Sequence, residues 1–115
     1  MATYTKVAIS GASNGKAVQV AATATPGTLV HTAQSGTSNF DNIKLYAYNG
    51  HTADVVLTIE YGGTTSTDQI IVTIPFQSGL ILIIPSLILQ NSLVLRAFAS
   101  VASVVNLFGF VNRIS

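Results

Sequence analysis

The sequence predicts an all-β fold: a single antiparallel β-sandwich, of jelly-roll or immunoglobulin-like type, with about eight short strands. Three observations carry this expectation. Val, Ile and Thr dominate the apolar runs, and β-branched side chains fit a pleated sheet better than a helix. Gly, Pro, Asn and Ser fall between those runs, where turns need them, and helix signals are nearly missing. The runs also recur at about 8 to 12 residues, the spacing of sandwiches and barrels. At 115 residues the chain suits one domain, 1–115, large enough to bury a core without metal or disulfides.

The first two expected strands are TKVAIS and KAVQVAA, separated by Asn14 and Gly15, which tolerate the positive φ of a tight turn. AATATPGT, residues 21–28, is the softest stretch and too short to divide domains. A strand over 43–48 leads into Asn49 and Gly50, a hairpin signal that predicts antiparallel pairing with 54–61. In DVVLTIEY, Val55, Leu57, Ile59 and Tyr61 alternate with Asp54, Val56, Thr58 and Glu60, so one face should pack and the other meet water. GGTTSTDQ is a loop, and IIVTIP resumes the alternation until Pro75. LILII, 80–84, should stop at Pro85, and SLILQNS leads through Gln90 and Asn91 to the next strand. LVLRAFA alternates again, and a small-residue turn at 100–103 precedes the last strand, VVNLFGFVNRI.

Charge is the global anomaly. Charged residues make up 8% of the chain, against about 25% in typical soluble domains, and mean hydropathy is +0.54. A membrane is a poor explanation. The 78–89 run, SGLILIIPSLIL, is about half the length of a spanning helix and holds Pro85. The 93–114 segment is long enough but carries Arg96 and Arg113. The N-terminus has no apolar core of signal-peptide length. Five scattered Lys and Arg give a net charge of +1, without the basic cluster that nucleic acid requires. Cysteine is absent, which removes thiol chemistry and Cys-ligated metals.

Candidate chemistry is sparse. His31 and His51 share no metal-ligand spacing with Asp41, Asp54, Glu60 or Asp68, so neither a metal site nor a cofactor site is expected. No GxSxG elbow marks a nucleophile, and no catalytic residue is assigned. Asp54 and Glu60 lie six residues apart on one strand, about 20 Å by the strand rise, too far for a carboxylate pair, and read as a solvated face. Neither glycine cluster leads into a helix as a phosphate loop does. Tyr46, Tyr48 and Tyr61 form a candidate aromatic platform for sugars, although such pairs also stabilise ordinary sheets.

LILII does not alternate, and strands covered on both faces read in that way. A two-sheet sandwich covers one face only, so the second face calls for a loop or another chain. The expected interface comprises Leu80, Ile81, Leu82, Ile83 and Ile84, then Leu87, Ile88 and Leu89, joined by Leu107, Phe108 and Phe110 of the last strand.

NFDNIKLYAYNGHTADVVLTIEYGGTT, followed by IVTIP and by LVLRAFASVASVVNLFGFVNRIS, resembles small virion proteins of tailed bacteriophages that decorate or cement the capsid. The likeness spans roughly residues 28–115. It implies a non-enzymatic β module, made in the host cytoplasm and placed on the capsid surface, with a tail or head-completion component as the alternative. It also implies self-association, with a trimer favoured, and contact with the major capsid protein. Such a subunit works by burying apolar surface at many weak, repeated contacts, which requires little charge and no active site.

Overall fold

The computed structural model describes residues 3–115, which form two antiparallel sheets packed face to face. The strands are β1 (Tyr4–Ala8), β2 (Val18–Val20), β3 (Thr28–Thr32), β4 (Phe40–Asn49), β5 (Val55–Tyr61), β6 (Gln69–Ile74), β7 (Ile81–Leu89), β8 (Val94–Ala99) and β9 (Val105–Ile114). One turn of 3-10 helix, Ser66–Asp68, precedes β6, and no α-helix occurs among the described residues.

The pairing is nested. β5 pairs with β6, β4 with β7, β3 with β8, and both β1 and β2 with β9, as if one long hairpin had been rolled up. Lateral ladders β4–β9 and β5–β8 close the roll into sheets ordered β1-β9-β4-β7, with β2 also on β9, and β3-β8-β5-β6. β1 and β2 lie end to end along β9, so they count as one interrupted strand. This is the jelly-roll order of eight strands, and it sets aside the immunoglobulin alternative, whose strands divide between the sheets differently.

Alternation builds the core. Along β4, Ile43, Leu45 and Ala47 are fully buried while the residues between them are half exposed. Val55, Leu57 and Ile59 of β5, Leu95, Ala97 and Ala99 of β8, and Val105, Leu107 and Val111 of β9 meet them from the two inner faces. Each Val, Leu or Ile so buried contributes about 1.5–3 kcal/mol. Gly109 of β9 lies against β4, where a Cβ would collide with the Lys44 carbonyl oxygen.

Several expectations need correction. Asn49-Gly50 is no hairpin: β4 and β5 belong to different sheets, and the chain crosses the sandwich between them. The buried Asn49 side chain holds that corner, donating to the carbonyls of Ala53 (3.0 Å) and Ile74 (2.9 Å) and accepting the His51 N–H (2.9 Å). Asn14 and Gly15 do take positive φ, but their turn separates two strands that pair with β9 rather than with each other. The strand beginning LILII does not stop at Pro85. β7 runs through it to Leu89, which a sheet edge permits because the missing N–H faces no partner. β3 is not among the stretches that the sequence marked. Finally, Thr58 and Glu60 are buried rather than solvated, because residues 21–27 fold over that face.

Candidate functional site

The expected interface residues divide by the pleat of β9 and, on β7, by the pleat together with two register shifts against β4. On β7 and just before it, Leu80, Leu82, Leu87 and Ile88 are exposed, and Ile81 and Ile83 are half buried. Ile84 and Leu89 are not available: register places them opposite Leu45 and Asp41, facing inward, and both are buried. Leu107 is likewise a core residue. Phe108 and Phe110 lie half exposed on the outer face of the β1-β9-β4-β7 sheet.

That outer face is continuous with the β7 rim. Phe108 of β9, Tyr46 of β4 and Leu82 of β7 stand directly across from one another, forming an apolar row over three strands. A second row runs Asn112, Asn42 and Ile88. Lys6 places its ammonium 4.5 Å from the Phe110 ring centre and Lys44 places its own 5.9 Å from that of Tyr46, within the reach of a cation–π contact. The face therefore offers flat rings, three asparagines (Asn42, Asn106 and Asn112) and two paired cations. Tyr48 belongs to it, opposite Asn106. Tyr61 does not: it sits on β5 of the other sheet, packed against the core, so the three-tyrosine platform is corrected to Tyr46 and Tyr48.

A buried polar cluster escaped the sequence reading. Asp41 is fully buried and accepts bonds from Arg113 Nε (3.0 Å) and Nη2 (3.0 Å), from Gln34 Nε2 (3.1 Å) and from His31 Nε2 (2.7 Å). His31 is equally buried, and its Nδ1 accepts the Ser10 backbone N–H at 3.0 Å. The ring proton therefore sits on Nε2, pointing at Asp41. Burial pushes the Asp41 carboxyl up, but the bonds from Arg113 and His31 and the Arg113 charge outweigh it and hold the group below its usual range. The hydrogen bond to Asp41 raises Arg113 in turn. Burial, then the Asp41 charge, raises the Tyr61 phenol, whose hydroxyl is buried with no hydrogen-bond partner among the described residues.

Ser, His and Asp meet here without forming a nucleophile. Ser10 touches His31 through its backbone, and its Oγ instead accepts the Thr32 N–H at 2.7 Å. Both imidazole nitrogens are occupied, and the carboxylate is capped on both oxygens. The arrangement clamps β3, β4 and β9 together. Glu60 plays a similar part elsewhere, accepting from Thr25 Oγ1 (2.5 Å) and from the Gly27 N–H (2.6 Å), which ties the 21–27 segment onto the second sheet.

Other sites are thin. A groove of about 220 Å³ lined by Gly62, Gly63, Thr64, Ser92, Leu93, Val94 and Arg96 falls short of the roughly 300 Å³ at which small-molecule pockets begin. No group of three His, Cys, Asp or Glu stands ready for a metal among the described residues. No helix among them is long and apolar enough to cross a membrane. Comparison with known proteins returned no match: no family model, no curated protein and no solved structure is significantly similar to this chain.

Proposed function

We propose that the protein is a non-enzymatic structural component of a virus particle, a decoration or cement subunit that binds the outer capsid lattice and stabilises capsomers. One observation carries the reading: β7 is a nine-residue edge strand without a single charge, and its rim leaves Leu80, Leu82, Leu87 and Ile88 uncovered beside the Phe108–Tyr46–Leu82 row. An isolated domain gains nothing from so greasy a margin, whereas a subunit packed against a lattice buries it. The jelly roll is a fold shared by viral capsid proteins, lectins and cupins, and this supports the reading by analogy alone. Pro85 and two register shifts along β7 make ladder extension there unfavourable, so docking proceeds through side chains. The test is the composition of purified particles. The subunit should be recovered with them in a fixed ratio to the major capsid protein, and its absence would remove the proposal.

A second reading is a carbohydrate-binding or adhesin module, favoured by the Tyr46 and Tyr48 rings standing beside Asn106 on an open face. Glycan-array binding abolished by Tyr46→Ala would support it, and binding that the substitution leaves intact would count against it.

A further inference from the structure

We propose that the free edge of β6 pairs with β6 of a second copy, antiparallel about a two-fold axis at Ile71, joining two four-stranded sheets into one of eight. A terminal strand presents a row of unpaired N–H and C=O groups, and folded proteins blunt such edges with bulges, proline, charge or a covering segment. This sandwich has four terminal edges, and three are blunted. The first is broken between β1 and β2 and carries Lys6. β7 holds Pro85 and two register shifts. β3 is bulged between Leu29 and His31, and Gly11 closes it by donating to the Val30 carbonyl at 2.8 Å.

β6 has none of these devices. Its register with β5 is unbroken from Glu60–Gln69 to Val55–Ile74. QIIVTI contains no charge and no proline, and its composition is that of segments which pair readily with copies of themselves. Among the described residues, no backbone group from Ile70 to Thr73 bonds outside the β5 ladder. Ile71 is 65% exposed at the middle of this edge.

The composition of β6 selects a second copy as the occupant. Centred on Ile71, antiparallel pairing sets Ile70 opposite Val72 on the inner face, where both already pack at the margin of the core. Gln69 falls opposite Thr73 on the outer face, and Ile71 meets its own copy. No side chain in the set is charged, so the like-charge repulsion that usually bars a strand from pairing with itself is missing. β4 touches β6 and β2 touches β8, so both sheets run the same way across the sandwich and β7 ends its sheet on the same side as β6. Such pairing closes at two copies, in place of the trimer that the phage resemblance implies.

Sedimentation of the full chain tests this apart from any particle. The wild type should run at twice its 12.0 kDa chain mass. Ile71→Lys and Ile71→Glu should each run at the single-chain mass with unchanged circular dichroism, and an equimolar mixture of the two should regain the doubled mass, because the axis sets residue 71 against itself. Leu29→Lys, on the opposite side of the sandwich, should stay double. A wild type that sediments as one chain at high concentration, a dimer that survives Ile71→Lys, or a mixture that stays single would overturn the proposal.

Discussion

Arg113 grips Asp41 with two parallel hydrogen bonds, Nε to Oδ1 and Nη2 to Oδ2, both 3.0 Å, from directly opposite positions on β9 and β4. The carboxylate is fully buried while the guanidinium reaches the surface, so the pair is held by the geometry of the fork rather than by exposed charge. Asp41→Ala strands the His31 Nε2–H as well as Arg113, while the Gln34 amide keeps the carbonyls of Phe40 and Ile114. A loss of about 3–5 kcal/mol in urea unfolding is expected, the cost of breaking a buried pair from one side. A loss below about 1 kcal/mol would show that the cluster does not clamp the strands.

The same carboxyl sets an acid limit. Its folded value lies below the ordinary 3.8, so folding favours the ionised form. That contribution is complete above about pH 4 and disappears as acid protonates the folded carboxyl. The stability gap between wild type and Asp41→Asn should therefore narrow as unfolding is measured from about pH 6 down to pH 2. A gap independent of pH would contradict the assignment.

The register shift between Leu45 and Tyr46 puts two β7 residues of the same parity, Ile84 and Leu82, on opposite faces of the sheet. Ile84 is fully buried opposite Leu45, and Ile84→Ala should cost about 2–5 kcal/mol through the cavity it leaves. Leu82, two residues earlier on the outer face, should lose no more than about 0.5 kcal/mol when changed to Ala. Thermal melts of the two variants check the contrast, and equal shifts would place the strand in a different register.

Gly109→Ala tests the closest backbone approach between β4 and β9. The added methyl meets the Lys44 carbonyl oxygen, a backbone atom that cannot rotate away. A loss of about 1–3 kcal/mol or more in chemical unfolding is expected, as for other overpacked sites. An unchanged midpoint would mean that the sheet yields there without strain.

Much of this fold could be read from the chain, because alternation is local. Val55, Leu57 and Ile59 declare their face within a single strand, and Leu95 and Ala97 do the same. What lies between sheets is not local. Asn49-Gly50 looks like a hairpin turn from its neighbours, but β4 finds better partners in β7 and β9, and the turn becomes a crossing held by Ile74, 25 residues away. The apolar rim was legible as an excess of Leu and Ile. Which of those residues point inward was not, because the register shifts between Ile43 and Tyr46 decide it. Glu60 reads as a solvated residue because its burial depends on groups contributed from afar, and the burial of Asp41 depends on them too. Arg113 reaches Asp41 across 72 positions, and Thr25 reaches Glu60 across 35. A polar residue alternating with apolar ones on two-sided strands was the one available signal.

The most direct measurement is electron cryomicroscopy of particles assembled with this protein. The account predicts sandwich-shaped density on the outer shell, with Leu82 and Ile88 of β7 seated against the capsid lattice and lost from it in Leu82→Asp particles. Shells that lack such density, or that carry the sandwich with its β7 rim turned toward solvent, would contradict it.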